Sequence, residues 1–135
     1  MYFLMSIKPK YATLILSGKK TAEIRKSKFG ASQGDVVVIY ATKPEGRIVG
    51  SFVVEEVLWK QTEELWKLVG EKTSLTYDEF KEYAGGHEDM CAIMISKAIV
   101  TKGLTMEQMQ LKVPQSYRRI TEEEYFSLFA GKHKP

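Results

Sequence analysis

A short segment near the start of the chain combines a lysine, a glutamate and an arginine at close spacing. Gly18 precedes Lys20 by two positions, and Glu23 and Arg25 follow it. Guanidinium and ammonium groups donate hydrogen bonds to phosphate, while a carboxylate accepts one from the exocyclic amine of a base. The residue types and their spacing are therefore compatible with two interpretations, a surface ion-pair cluster and a site that binds a nucleotide.

Two predicted elements would bring these side chains together. An apolar i, i+3, i+4 pattern over residues 11–15 predicts a short amphipathic helix with a glycine cap. Residues 22–26 alternate between apolar and charged, which predicts a strand with Glu23 and Arg25 on one face. Lys20 lies in the turn between helix and strand. The carboxylate, the ammonium group and the guanidinium group are therefore expected to converge.

The charges of the chain are unevenly distributed, although its net charge is only +3. Residues 1–28 contain seven basic residues and one acidic residue, whereas residues 55–89 contain ten acidic and four basic residues. A basic pole around Lys20 favours an anionic partner such as a nucleic acid. Solvated faces of an ordinary globular domain are the alternative interpretation.

The remaining pattern predicts a mixed α+β fold. Strands are expected over residues 2–7, 22–26, 36–41, 47–59 and 91–101. Helices are expected over residues 63–69 and at three capping boxes that begin at Thr76, Thr105 and Thr121. Gly50 predicts a bulge or bend of the kind that small barrels need at their corners. We therefore expect about five mixed or antiparallel strands that curl into a small β-barrel with short flanking helices.

Length and composition indicate one globular domain over residues 1–135, with 44% hydrophobic and 27% charged residues and no linker or internal repeat. No apolar run approaches the roughly 20 residues that cross a bilayer, and the first residues lack the features of a secretory signal. The expectation is a cytoplasmic protein without a membrane partner.

Several kinds of chemistry lack their sequence signatures. One cysteine, Cys91, and two histidines, His87 and His133, do not form a spaced zinc cluster, so neither a metal nor another cofactor is expected. No glycine-rich phosphate loop and no nucleophile elbow occurs in the chain. Because Cys91 begins an apolar strand, it is predicted to be a buried and inert thiol.

Gly18, Lys20, Glu23 and Arg25 match the G-x-K-x-x-E-x-R signature of ASCH domains, which are relatives of the PUA domain. The likeness extends, in the same order along the chain, to residues 7–12, 39–42, 48–50 and 113–118. The chain thus resembles the stand-alone bacterial, archaeal and phage ASCH proteins. This resemblance implies a small PUA-like β-barrel with a cleft between the barrel and the first helix, where family members are proposed to bind RNA.

The resemblance makes RNA or a modified nucleotide the expected partner, in RNA metabolism or in the regulation of translation or transcription. The signature residues Lys20, Glu23 and Arg25 are expected to face the ligand. Candidates for backbone phosphate contacts are Lys8, Lys10, Lys26 and Arg118. Tyr117 is a candidate for stacking on a splayed base.

An enzymatic alternative uses the same cleft. Some ASCH relatives resemble amidohydrolases that act on N4-acetylcytidine, and others resemble ribonucleases; in either case Lys20 would be the catalytic residue. The amidohydrolases combine this lysine with a threonine three residues later and a glutamate from the helical segment. Here Glu23 occupies the threonine position, and the counterpart of the acid falls near Thr73, with Glu71 as a neighbour. Two of the three catalytic positions therefore differ.

The protonation state of Lys20 would separate a catalytic role from a purely binding role. An amine that acts as a nucleophile or base needs a lowered pKa. Burial, Lys19 and Arg25 would lower the pKa of Lys20, whereas Glu23 would raise it.

A third hypothesis is an adaptor that contacts a protein partner through the acidic helical region. That region contains five aromatic residues, Trp59, Trp66, Tyr77, Phe80 and Tyr83. Most are expected to be core residues, and an exposed aromatic patch among them would support an interface.

Overall fold

The computed structural model describes residues 1–129, which form one mixed sheet of six strands with four short α-helices and a 3-10 helix at Gly70–Lys72. The strands are β1 (Tyr2–Ile7), β2 (Ala22–Arg25), β3 (Val36–Ala41), β4 (Arg47–Gln61), β5 (Asp89–Val100) and β6 (Tyr117–Ile120). The helices are α1 (Pro9–Leu16), α2 (Thr62–Val69), α3 (Tyr77–Ala84) and α4 (Glu122–Ser127). The predicted α+β class is confirmed. His133 lies outside the described residues.

The order of the strands in the sheet is β2-β5-β4-β3-β1-β6. β1 and β3 are parallel, and every other neighbouring pair is antiparallel. The bulge predicted at Gly50 is present, because the β3–β4 register shifts between Ile39 and Tyr40. A Cβ atom at Gly50 would lie 2.4 Å from the carbonyl oxygen of Ile99 and 2.6 Å from a methyl group of Leu16, so only glycine fits there.

The sheet is open in its backbone hydrogen bonds, with β2 and β6 as its two edges. Side chains connect these edges instead. Arg25 on β2 donates from Nη2 to the carbonyl oxygen of Ser6 on β1 at 3.0 Å and from Nη1 to Ser116 Oγ, just before β6, at 3.2 Å. Phe29, which follows β2, packs edge-on against Tyr117 with ring centroids 4.6 Å apart. The predicted curling of the sheet therefore brings its edges together without backbone closure of a barrel.

Strand β6 is the element that the sequence did not predict. Its four residues include the adjacent arginines Arg118 and Arg119, so it lacks a strong apolar pattern. It forms because Tyr2–Met5 of β1 provide a backbone edge on which Tyr117–Ile120 pair in antiparallel register. A sequence distance of more than one hundred residues separates these partners, which explains why no local signal reveals the strand.

The helix predicted at Thr105 was wrong. The capping interaction exists, since Gln108 Oε1 accepts a hydrogen bond from the Thr105 backbone N–H at 2.9 Å. The segment makes only a turn there, and Thr105 also forms an isolated antiparallel bridge with Arg47 of β4. By contrast, the capping boxes Thr76–Glu79 and Thr121–Glu124 begin α3 and α4 as predicted.

The core divides into three clusters on the faces of the sheet. The largest lies beneath α1, a second lies beneath α2 and α3, and a third lies beneath α4. Ala22 and Ile24 belong to the second cluster, so Glu23 and Arg25 face the other side of β2 as predicted. Cys91 is fully buried in the largest cluster, and burial raises the pKa of its thiol, in agreement with an inert cysteine. No helix among residues 1–129 has the length and hydrophobicity to span a membrane.

Candidate functional site

A cleft of about 340 Å³ opens where the end of β1, helix α1, strand β2 and helix α3 meet. Its volume lies at the lower end of the range of roughly 300 to 1,000 Å³ that is usual for ligand pockets. Four of the predicted site residues line it, namely Lys8, Lys20, Glu23 and Arg25. The sequence-predicted convergence of the ammonium, carboxylate and guanidinium groups is thus present in the fold.

Lys20 reaches the cleft because the chain turns sharply after α1. Gly18 has a φ angle of +85°, a conformation that glycine adopts without steric cost, and the backbone N–H groups of Lys19 and Lys20 both donate to the carbonyl oxygen of Leu14 at 3.0 Å. The turn directs the side chain of Lys20 inward, where it is only 2% exposed. Its Nζ donates to the carbonyl oxygen of Thr73 at 2.5 Å.

Burial lowers the pKa of the Lys20 amine from its ordinary value near 10.5 and is the largest of the influences on it. Glu23 acts in the opposite direction, with Oε1 at 3.7 Å from Nζ, and Arg25 lowers the pKa by the smallest amount. Lys19, which the sequence suggested as a further cause, is exposed and is not among the influences on this pKa. Desolvation therefore outweighs the glutamate, and Lys20 loses its proton more readily than a surface lysine.

Arg25 is held rigidly at the edge of the cleft. Its Nε donates to Glu23 Oε2 at 3.1 Å, and its two Nη atoms donate to Ser116 and to Ser6 as described above. A guanidinium group has five N–H donors, so two remain for a ligand. The arginine is also partly accessible, with a side-chain exposure of 16%. Arg25 thus combines a fixed orientation with free donors.

Two tyrosines that the sequence did not assign to a site also line the cleft. Nζ of Lys20 lies 5.1 Å from the ring centroid of Tyr11 on α1. Tyr83 on α3 is 40% exposed as a whole residue. Burial of its hydroxyl group is nevertheless the main influence on the pKa of that group and raises it. The sequence placed Tyr83 among aromatics of the acidic region that were mostly expected in the core, whereas the structure leaves it exposed. Its helical spacing from Glu79, which also lines the cleft, was the signal that both side chains share one face of α3.

Lys10, Lys26 and Tyr117 lie around the cleft and do not line it. Lys10 is exposed on α1, with Nζ 5.8 Å from the ring centroid of Tyr11. Lys26 and Tyr117 line an adjacent depression of about 120 Å³, which shares Arg25 and Tyr83 with the cleft. The structure therefore places these three residues beside the site.

Arg118 is the predicted site residue that the fold separates from the others. It pairs with Leu4 of β1 and points toward α4, where its Nη2 lies 3.5 Å from Glu124 Oε2. Tyr117, on the opposite face of β6, packs against Phe3 and Phe29. Neighbouring residues of a strand alternate between faces, so the side chains of Tyr117 and Arg118 lie on opposite sides of β6.

The chemistry of the cleft follows from its donors and acceptors. Among residues 1–129, no group of three or more histidine, cysteine, aspartate or glutamate side chains is placed to hold a metal ion. The cleft offers cationic donors, one buried carboxylate, a deprotonation-prone amine and two aromatic rings. Such a set can bind a phosphate together with a base, and its amine can accept a proton.

A family model described as the ASCH domain matches residues 5–128 of the chain. The chain is also similar to a Zymomonas mobilis protein that is named an ASCH domain-containing ribonuclease. The two sequences are 26% identical over 125 residues, which cover 89% of this chain and 84% of the relative.

Solved structures resemble the fold. The crystal structure of ASCH from Zymomonas mobilis superposes with a TM-score of 0.88 at 25% identity, covering 94% of this chain and 92% of that one. Human THYN1, crystallised in complex with DNA that contains 5-methylcytosine, gives a TM-score of 0.53 at 11% identity, covering 99% and 98% of the two chains. At this identity the second likeness concerns the fold alone.

Proposed function

The chain belongs to the ASCH domain family, and from this premise we propose that it binds single-stranded RNA, with one nucleotide in the cleft. The observation that carries the proposal is the convergence of Lys20, Glu23 and Arg25 in a nucleotide-sized cleft with tyrosines on its walls. Single-stranded RNA is recognised through splayed bases that stack on aromatic rings and bond through their edges. A cytoplasmic role in RNA metabolism or in the regulation of translation or transcription is part of this proposal.

Each part of a nucleotide has a partner in the cleft. The two free N–H donors of Arg25 and the exposed ammonium group of Lys8 bind phosphate oxygens. Glu23 accepts a hydrogen bond from an exocyclic amine, because each of its oxygens has a second lone pair. Tyr83, with its partly exposed ring, stacks on the base. Lys10 adds sequence-independent attraction from the rim.

The relatives support a nucleic-acid ligand. The Zymomonas mobilis relative is named a ribonuclease, and the THYN1 structure contains DNA with a modified base. The basic segment over residues 1–28 contributes Lys8, Lys20 and Arg25 to the cleft and so supplies the positive charge that such ligands need.

Fluorescence anisotropy with labelled single-stranded RNA tests this proposal. Arg25→Ala is expected to weaken binding about tenfold, whereas Arg119→Ala, which removes the same charge from an exposed site on β6, should change the affinity by less than about threefold. Thermal unfolding of both variants verifies that they remain folded. Equal affinities of the two variants would contradict a role for the cleft.

RNA cleavage is a second candidate function, which the buried amine of Lys20 and its lowered pKa favour. Uncharged Lys20 would accept the proton of a ribose 2′-hydroxyl, and the 2′-oxygen would form a bond to the adjacent phosphorus. The bond from phosphorus to the 5′-oxygen would break, and that oxygen would take a proton from water. Arg25 would neutralise the charge that develops on the phosphoryl oxygens. The products are a 2′,3′-cyclic phosphate and a 5′-hydroxyl group.

This mechanism distinguishes RNA from DNA, because DNA lacks the attacking hydroxyl group. We expect the protein to cleave an RNA oligomer to fragments with 2′,3′-cyclic phosphate ends and to leave DNA of the same sequence intact, as gel electrophoresis and mass spectrometry would show. Binding of RNA without cleavage would reject the second candidate and keep the first.

Two other hypotheses have less support from the structure. The amidohydrolase would need a threonine where this chain has Glu23 and an acid near Thr73. The Thr73 hydroxyl donates to the Gly70 carbonyl at 2.7 Å, and the neighbouring Glu71 is exposed. The adaptor would need a free aromatic patch. The expectation that most of the five aromatics are core residues was wrong, because Trp59, Tyr77 and Tyr83 are exposed. Tyr83, however, lines the cleft, and Tyr77 packs against Trp66 and donates a hydrogen bond to Glu63. Release of acetate from N4-acetylcytidine would nevertheless establish the first of these activities.

A further inference from the structure

We infer that a bound RNA strand continues from the cleft across Arg25 to a second nucleotide position, formed by Lys26 with Tyr83 and by Lys28 with Trp59. This inference rests on the proposed function, because it concerns the path of the same ligand. It makes the ligand an oligonucleotide of at least two nucleotides, since a mononucleotide would fill only the cleft.

The first part of this path is the small depression beside the cleft. Its volume is about 120 Å³, and Arg25 and Tyr83 form the boundary that it shares with the cleft. Nζ of Lys26 lies 4.8 Å from the ring centroid of Tyr83. Ser116, which accepts a hydrogen bond from Arg25, also lines the depression. A phosphate that leaves the cleft past Arg25 therefore meets Lys26 next.

The second part of the path follows from the register of the sheet. Arg25 lies opposite Cys91, and Cys91 lies opposite Trp59, so the three residues form a row across β2, β5 and β4. Directly paired residues share one face of a sheet, and two strand spacings amount to about 10 Å. Trp59 is 38% exposed, and Nζ of Lys28 lies 5.5 Å from its ring centroid. Cys91 in the middle of the row is buried, so a bound strand would not follow the row itself. It would cross the exposed residues 26–28 and reach the accessible indole ring of Trp59 from there.

Two lysines of this path lack ion-pair partners among the described residues, whereas Arg25 at its start is paired with Glu23. No acidic residue occurs between Arg25 and Asp35. Among residues 1–129, no carboxylate lies within 4.0 Å of the amine of Lys26 or of Lys28, and both amines rest over aromatic rings instead. A lysine over an exposed ring can move to a phosphate while a base takes its place on the ring. Backbone-tracking cations that alternate with stacking rings are the usual means of binding single strands.

An affinity comparison tests the inference. The probes are hexaadenylate and hexauridylate, with adenosine and uridine 5′-monophosphates as short ligands. The double variant Lys26→Ala/Lys28→Ala is expected to bind the hexamers about tenfold more weakly and to bind the monophosphates within twofold of the wild-type affinity. The control is Lys67→Ala/Lys102→Ala, which removes two exposed lysines that line neither the cleft nor the depression.

Fluorescence of Trp59 gives a second readout. In the variant Trp66→Phe, which retains an aromatic ring against Phe80, Trp59 is the only tryptophan. Its emission should be quenched by the hexamers and unchanged by the monophosphates. If this variant does not fold, the quenching of the wild-type protein is compared with that of Trp59→Phe.

The outcomes separate the inference from the proposed function. Selective loss of hexamer affinity together with quenching of Trp59 supports the path. Hexamer binding that weakens no more than in the control, without quenching, overturns the path and leaves RNA binding in the cleft intact. Failure of the wild-type protein to bind either kind of probe overturns the proposed function and this inference together.

Discussion

Two clusters in this protein contain the same three kinds of side chain and behave in opposite ways. The buried cluster, defined as Lys20, Glu23 and Tyr11, lies in the cleft, and its lysine is 2% exposed. The exposed cluster, defined as Lys81, Glu63 and Tyr77, joins α2 and α3, with its lysine 45% and its glutamate 41% exposed. The lysine–glutamate distance is 3.7 Å in the first and 2.6 Å in the second.

The pKa of the lysine shifts in opposite directions in the two clusters. The hydrogen bond to Glu63 is the main influence on Lys81 and raises its pKa, whereas burial is the main influence on Lys20 and lowers its pKa. The comparison shows that removal from water can outweigh a neighbouring carboxylate. An exposed pair of this kind contributes little to stability, while the buried amine is prepared for chemistry.

The largest expected effect concerns RNA and distinguishes the two lysines. Lys20→Met should reduce RNA cleavage by about 10²- to 10⁴-fold, because the proton acceptor is lost, and should weaken RNA binding. Lys81→Met should leave both properties unchanged. Single-turnover cleavage assays and anisotropy would measure these effects. If both variants behaved alike, the buried cluster would have no special role.

The next effect concerns stability and compares the two glutamates. Glu23→Gln should lower the free energy of unfolding by about 2 to 3 kcal/mol, since it leaves the buried Lys20 and the nearby Arg25 without their counter-charge. Glu63→Gln should leave the urea midpoint unchanged, because water solvates the groups it exposes. Urea denaturation of both variants measures the two effects. A larger loss of unfolding free energy for Glu63→Gln than for Glu23→Gln would contradict the comparison.

The third prediction concerns pH and has opposite signs for the two lysines. The pKa of Lys20 is lower in the folded protein than in the unfolded chain. Just below pH 10.5 the unfolded chain therefore binds more protons than the folded protein. Lys20 should thus make the free energy of unfolding rise with pH in that interval. Because the pKa of Lys81 is raised, its contribution should be present below 10.5 and be lost as the pH rises through the raised value.

Side-chain NMR titrations of the two lysines would measure this difference directly. Unfolding experiments on Lys20→Met and on the wild-type protein should diverge as the pH approaches 10.5, with the wild type gaining stability relative to the variant. A Lys20 amine that titrated at or above its ordinary value would refute the dominance of burial.

The smallest expected effect concerns the exposed lysines at the rim. Lys8→Ala and Lys10→Ala should each weaken RNA binding only a few-fold, and each should reduce the salt slope of log affinity by about one if the lysine contacts a phosphate. Titrations at several salt concentrations would show this. An unchanged slope for both variants would place the phosphates elsewhere.

The sequence predicted the parts of the fold that depend on local patterns. The alternation of Ala22, Glu23, Ile24 and Arg25 gave the correct strand face, and the capping box at Thr76 gave the correct start of α3. The signature around Lys20 also indicated the family and the location of the cleft. These signals succeed because their partners lie within a few residues of one another.

Features that depend on distant partners were not predicted. Strand β6 exists only because β1 offers it an edge, and Tyr83 reaches the cleft only because α3 packs beside β2. The sequence predicted both Arg118 and Tyr117 as ligand-binding residues. The pleat of β6 instead turns the side chain of Arg118 toward Glu124. Local periodicity contains no information on which distant element covers a given face.

The sequence alone determined that Lys20, Glu23 and Arg25 meet, because the turn at Gly18 and the alternation of β2 are local properties. It could not determine the protonation behaviour of Lys20. Glu23 lies three positions away and favours the charged amine, so the sequence points toward an ordinary ion pair. Only the tertiary structure removes water from the amine and offers it the Thr73 carbonyl, and desolvation then exceeds the attraction of the nearby carboxylate.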